Sequence, residues 1–195
     1  PQAEAALRET ISVGADQAIL LSDRAFAGAD TLATSYVLAR ALARIGDYDL
    51  VLCGRQTLDG DTGQVGPGLA ERLQIPFVAY VSKVEEIADG RMRVQRLIEE
   101  GHEVIEMPLP GVISVTKEIN VPRLPSLRGQ MKAKSAQIPA WGAEDLDVEL
   151  DRVGLAGSPT RVMRVFRPER TRRGEVLKGT LEEQLDQLVD RLRGM

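Results

Sequence analysis

The apolar positions change their period several times along the chain, and each change marks an element. Over residues 2–13, Ala5, Leu7, Ile11 and Val13 recur at helical spacing, and Gly14 is placed to end the helix. Residues 16–21 (DQAILL) form a short apolar run and predict a strand. Residues 31–45 return to helical spacing behind Asp30, a good N-cap, with Leu32, Tyr36, Leu38 and Leu42 as candidate core positions. Gly46 and Asp47 close that helix; residues 48–53 (YDLVLC) read as a buried parallel strand and residues 66–73 as a helix. An order of helix, strand, helix, strand, helix calls for a parallel sheet with right-handed crossovers. Its two strand-to-helix loops, 22–30 and 54–66, then open on the same edge of the sheet.

From residue 77 the period shortens. Residues 77–87 and 92–99 flank Asp89-Gly90, a strong hairpin signal, and Met92, Val94 and Leu97 alternate imperfectly with charged neighbours. Gly101-His102 is a second turn that leaves the histidine in solvent; residues 103–109 are a third strand and 112–115 (VISV) a fully apolar one. Antiparallel strands thus extend the parallel sheet.

Residues 120–135 break the pattern. Pro122, Pro125 and Gly129 oppose regular structure in the first half. Leu124 and Leu127 stand within a basic set of Arg123, Arg128, Lys132 and Lys134. An apolar anchor in a basic rim suits docking; leucines tucked back onto the domain are the other reading. Residues 138–148 hold the one tryptophan and a short helix at 143–146. Residues 153–166 read as an extended arm and 167–174 as an Arg-rich irregular run. A last helix starts at Thr180, with Glu183 completing a capping box and Leu181, Leu185, Leu188, Val189 and Leu192 as its apolar stripe. Such an arm with a terminal amphipathic helix often wraps a partner subunit.

Composition narrows the functions. The chain has 195 residues, of which 43% are hydrophobic, enough for one substantial domain with an appendage. A net charge of −4 and the lack of aromatic residues within the basic runs exclude general nucleic-acid binding. One cysteine, Cys53, excludes a disulfide framework, and one histidine, His102, excludes His-cluster zinc chemistry. No catalytic residue and no metal site is expected. No apolar run approaches the ~20 residues of a membrane span. Without a signal-peptide pattern, a cytoplasmic protein with no membrane insertion is expected. The opening at Pro1 resembles the middle of a βα unit, so a preceding unit is expected elsewhere.

The chemistry concentrates in residues 54–67, GRQTLDGDTGQVGP. A strand, a Gly-rich loop and a helix start form a phosphate cradle: glycines admit a ligand to the backbone, and the helix start offers unpaired N–H groups and partial positive charge. Arg55 suits a phosphate, Gln56 and Gln64 suit amide contacts, and Thr62 a hydroxyl bond. The stretch is neither a Walker A loop nor G-x-G-x-x-G. An ordinary turn with surface acids has the same spacing. Asp30 and Thr31 can face the same ligand as Asp61 and Thr62, or serve only as helix caps.

In order, the motifs DRAFAGADTLATS (23–35), GRQTLDGDTGQVGP (54–67), EMPLPGVISVTKEINVPRLPSLRG (106–129), MKAK (131–134) and VGLAGSPTRV (153–162) resemble the β subunit of electron transfer flavoprotein, across essentially the whole chain. The resemblance implies a Rossmann-like α/β fold of the adenine-nucleotide-binding type, extended by antiparallel strands, with a C-terminal arm and helix. It implies a nucleotide-binding domain over 1–118 lacking its first βα unit, a recognition loop over 119–136, and an arm over 137–195 that embraces the α subunit. It implies no catalytic side chain here; the subunit carries electrons. Family nucleotide contacts carry over to Arg55, Gln56, Asp59, Asp61, Thr62, Gln64, Val65 and Gly66 within the Gly54–Gly60–Gly63 loop, and to Ala3 near the start. The family's second nucleotide is AMP in the common type and FAD in the bifurcating type. Ala27-Gly28-Ala29-Asp30-Thr31 resembles the FAD-holding, NADH-using version, so FAD is expected, with AMP as the alternative and Asp30 and Thr31 at its site. In the bifurcating version a low-potential acceptor such as ferredoxin or flavodoxin takes part. Leu127 matches the leucine that anchors an acyl-CoA or related dehydrogenase, with Arg128 and Lys132 beside it; Ser135 stands where some members have Lys. The competing function is a non-redox, stress-protein-like nucleotide-binding regulator, against which the recognition loop and arm argue.

Overall fold

The computed structural model describes residues 2–167, 174 and 176–194. They fall into two compact units, Pro1–Arg161 and Val162–Met195. The Arg-rich run expected at 167–174 lies mostly outside the described residues.

The first unit contains helix α1 (Gln2–Ser12), strand β1 (Leu20–Leu21), helix α2 (Thr31–Ile45), strand β2 (Leu50–Gly54) and helix α3 (Val65–Leu73). Strands β3 (Phe77–Ala88), β4 (Arg91–Ile98), β5 (Gly101–Pro108) and β6 (Gly111–Val115) follow, then helix α4 (Leu127–Ser135) and strand β7 (Ala140–Trp141). The main sheet runs β2-β6-β3-β4-β5, parallel across β2, β6 and β3, antiparallel from β3 to β5. This is the expected α/β sheet with its antiparallel extension. Strand β6, expected as fully apolar but carrying Ser114, lies between β2 and β3, with Val112 and Ile113 wholly buried. Val78, Val81, Met92, Val94, Met107 and Ile113 form the sheet core.

Strand β1 does not join that sheet. It pairs in parallel with β7, Leu20 opposite Ala140 and Leu21 opposite Trp141. Among the described residues, β2 pairs only with β6. An apolar groove of about 490 Å3 lies between β1 and β2, lined by Ile19, Leu38, Leu42, Leu52, Leu69 and Trp141 among others. This corrects part of the expected core of α2: Leu32 is exposed and Leu38 lines the groove, whereas Tyr36 is buried as expected and Leu42, also on the groove, packs against the core of Val51, Ala70 and Val112. The buried face is completed by Ala33, Ser35, Val37, Ala39 and Ala41. Small residues there let α2 approach α3 closely: a Cβ on Gly68 would lie 2.9 Å from Ser35 Oγ.

A second correction concerns Gly129, expected to oppose regular structure. It sits inside α4, whose N-cap Ser126 accepts from the Gly129 amide at 3.0 Å. The helix presses against α1, and a Cβ at residue 129 would lie 2.2 Å from the Ser12 carbonyl oxygen. Here glycine serves close packing, which outweighs its low helix propensity. Arg8 then closes the other end of α4, donating to the carbonyls of Ala133 at 2.7 Å and Ala136 at 3.2 Å.

In the second unit, α5 (Leu181–Arg193) starts with the predicted capping box: Thr180 accepts from the Glu183 amide, and Glu183 accepts from the Thr180 amide at 2.8 Å. Its apolar stripe is exposed within the chain, Leu181, Leu185 and Leu192 most of all.

Candidate functional site

Both strand-to-helix loops open on one cavity of about 440 Å3 at the carboxyl ends of the parallel strands, where open α/β sheets bind ligands. Its walls include Asp30, Thr31, Gly54, Arg55, Gln56 and Gly60 of the expected residues, and Thr62, Gly63, Gln64, Val65 and Gly66 as well. Ala29, Thr34, Cys53 and Thr57 line it too, though sequence reasoning had not singled them out as ligand contacts. Asp59, Asp61 and Ala3 are not on the cavity wall. Asp61 accepts from Gln56 Nε2, Asp59 accepts from the Gly60 amide at 2.9 Å, and Ala3 lies in the first turn of α1.

The second loop is built to leave its helix start open. Asp61 N donates to Thr57 O at 3.1 Å, making a tight turn, and Gly63 carries φ +61, a left-handed conformation that favours glycine. Gln64 occupies the N-cap position of α3 but caps nothing with its side chain. Its Oε1 instead accepts from Thr31 Oγ1 at 2.8 Å, tying the two loops together. Pro67 has no N–H and Gly68 N donates to Gln64 O at 3.0 Å, so the first-turn N–H groups left without a side-chain acceptor among the described residues are those of Val65 and Gly66, which suits an incoming anion. Gly66 admits the helix against β2 and β3: a Cβ there would come within 2.9 Å of both Cys53 Sγ and Phe77. Cys53 packs its sulfur against Gly66, and burial pushes its thiol up. Arg55 lies over the Tyr80 ring, 4.8 Å from its centroid, and its Nε donates to Gln56 Oε1 at 3.1 Å.

The first loop is closed. Asp30 Oδ1 accepts from the amides of Leu32 and Ala33 at 2.9 and 3.1 Å, capping α2. Its Oδ2 accepts from the Thr160 amide at 3.2 Å and hydroxyl at 3.0 Å, and its own amide donates to Ser158 Oγ at 2.8 Å. Burial works against ionisation of Asp30, but these hydrogen bonds together outweigh it and hold the carboxyl below its ordinary range. A phosphate approaching α2 would therefore meet a carboxylate already in place. The same loop is bound at Gly154, where φ is +53 and a Cβ would lie 2.1 Å from the Ala25 carbonyl.

The basic segment presents Leu124 and Leu127 to solvent, Leu127 with 81% of its surface exposed, beside exposed Met131 and Arg128. Lys132 turns inward along the surface, donating to the Ala15 carbonyl at 3.1 Å and pairing with Asp16 at 3.3 Å. No group of His, Cys, Asp and Glu among the described residues is arranged to hold a metal. No described helix is long and apolar enough to cross a membrane.

Comparison with known proteins places this architecture. Residues 1–146 match the electron transfer flavoprotein domain. The chain is 48% identical over 192 residues to electron transfer flavoprotein subunit beta of Thermoanaerobacterium thermosaccharolyticum, covering 98% of this chain and 73% of that protein. It is 46% identical over 194 residues to caffeyl-CoA reductase-Etf complex subunit CarD of Acetobacterium woodii, covering 99% and 74%. Protein FixA of Bradyrhizobium diazoefficiens is 41% identical over 197 residues, covering 97% and 68%. The chain belongs to the electron transfer flavoprotein family, as a β subunit.

Proposed function

We propose that this β subunit holds a second nucleotide in the cavity between the two loops and passes electrons within a heterodimer with an electron transfer flavoprotein α subunit. The observation that carries this is the uncapped start of α3 beneath Arg55, Gln56, Thr62 and Gln64. The donor set fits a nucleotide phosphate: the backbone N–H groups of Val65 and Gly66, a guanidinium, and amide and hydroxyl side chains. FAD is the proposed occupant, with AMP as the alternative. Bound here, a flavin would supply one- and two-electron chemistry, whereas an adenylate would be structural. The chain's own residues would bind the phosphates, orient the adenosine side and exclude water from it. Asp59 and Asp61 would act indirectly, by fixing the loop and Gln56.

The exposed Leu127 with Arg128 is the proposed docking point for a dehydrogenase or reductase acting on CoA esters. The relative named as a subunit of a caffeyl-CoA reductase-Etf complex supports that substrate class. NADH as donor and a ferredoxin or flavodoxin as low-potential acceptor belong to the same proposal. Lys132 contributes by tying α4 to the Ala15–Asp16 segment that follows α1. The stress-protein-like reading loses its ground once the chain is an electron transfer flavoprotein subunit.

The test is nucleotide content. The full-length β subunit is purified with its α partner, denatured, and its FAD and AMP are counted. Two FAD per heterodimer, bleached by NADH, is the expected result. One FAD with one AMP selects the alternative occupant, and a β subunit with neither nucleotide rejects the site.

A further inference from the structure

We propose that Tyr80 is a positioning residue of this site: a bulge in β3 holds its ring under the Arg55 guanidinium and keeps that cation on the nucleotide cavity. The inference rests on the nucleotide reading of the 54–66 loop and goes beyond it in naming what holds Arg55.

Strand β3 is paired regularly with β6 at Phe77–Val112 and Val78–Ile113, then slips so that Val81 faces Val115. Within the slip Tyr80 has φ 60, a left-handed conformation that is strained for an aromatic residue. The surroundings enforce it. Val78 and Val81 on either side are buried, and the Tyr80 amide donates to the hydroxyl of buried Ser114 at 3.1 Å. A strained residue that neighbours over-determine, beside a ligand cavity, points to function.

The bulge puts a large ring where a regular strand would not. One face meets the Arg55 guanidinium at 4.8 Å, and the hydroxyl lies 3.9 Å from the position of a Cβ on Gly63. The ring thus contacts Arg55 at the start of the loop and lies beside Gly63 near its end.

Arg55 needs such a support. It forms no ion pair among the described residues, and its long side chain borders two cavities. The second, of about 640 Å3, is lined by Tyr80, Arg96 and Glu99. Glu99 there is a carboxylate that an unrestrained guanidinium would seek, and Glu118, in the turn after β6, already feels the Arg55 charge. Held on the Tyr80 face, Arg55 stays available to a phosphate and loses less freedom when one binds.

The test uses the full-length β subunit with its α partner, stripped of nucleotide, with AMP and FAD titrated separately by calorimetry. Tyr80→Phe keeps the ring face and should bind within about twofold of wild type. Tyr80→Asn keeps a residue that tolerates the left-handed backbone but removes the ring; it should bind about tenfold more weakly with no loss of Tm. Arg55→Gln should weaken binding by at least as much, and Tyr80→Asn added to it should cost nothing more, because one acts through the other. Wild-type affinity in Tyr80→Asn beside a weakened Arg55→Gln overturns this proposal alone, as does full additivity in the double variant. A wild-type complex that takes up neither AMP nor FAD overturns the nucleotide reading and this proposal with it.

Discussion

The two strand-to-helix loops occupy equivalent places in the fold and do opposite things. Both follow a parallel strand, both lead into a helix, and both border one cavity. In the first, the Asp30 carboxylate caps α2 and is itself gripped by Thr160, while the Asp30 amide holds Ser158. In the second, Gln64 leaves the α3 amides open and spends its oxygen on Thr31. A helix start whose donors are already satisfied by an acid is a fastening; one left unsatisfied is a binding site. Topology makes both possible, and the residue at the cap decides which is realised.

The largest effect should come from the fastening. Gly154→Ala would force a Cβ against the Ala25 carbonyl at a residue with φ +53. The expected cost is about 3 kcal/mol or more, read as a Tm lowered by roughly 6–12 °C in a chain of this size. A Tm within 2 °C of wild type would show that the first loop is not held as described. Next, Asp30→Ala removes a cap and the acceptor of two Thr160 bonds, and should cost about 2 kcal/mol in chemical denaturation. If it abolishes nucleotide uptake while leaving stability intact, the first loop is a ligand site after all.

The second loop should respond the other way. Gln64→Glu keeps an acceptor for Thr31 but places a carboxylate at the start of α3. Stability should hold or rise by about 0.5 kcal/mol through the helix dipole, while AMP or FAD affinity falls more than about tenfold. Equal affinity in this variant would mean that the α3 start meets no phosphate. The smallest effect concerns acid. Asp23 is held below its ordinary range chiefly by the Ala143 amide, then by that of Ala25, and Asp30 by the hydrogen bonds that overcome its burial. Lowered folded values mean stabilisation that is present above the unfolded carboxylate pKa, near 3.9, and lost as pH falls through the folded values. Asp30→Asn should therefore flatten the acid limb of stability against pH; an unchanged limb would separate Asp30 from acid unfolding.

Much of this was legible in the residues because the governing interactions are local. The period of apolar positions located α2, α3 and the β3–β4 hairpin at Asp89-Gly90, and side-chain capping marked Asp30 and the Thr180–Glu183 box. The alternation of strand and helix pointed both loops at one site, and they do line one cavity, although β1 lies in a separate two-stranded sheet. The long-range choices were not legible. That β1 would pair with Ala140–Trp141, that Asp30 would be gripped by residues 128 and 130 positions further along, and that Gly129 would serve α1–α4 contact all depend on which distant surfaces meet.

The sequence by itself determined the α/β class, the element order and the loop whose residues face the cavity, since propensity, capping and periodicity act within a few residues of chain. Only the tertiary structure decided the roles within that loop set: Asp30 became a clasp, Gln64 an open cap, and Tyr80 a strained support for Arg55. Those roles follow from which donors and acceptors remain unpaired after packing, a quantity that exists only once distant segments are in contact.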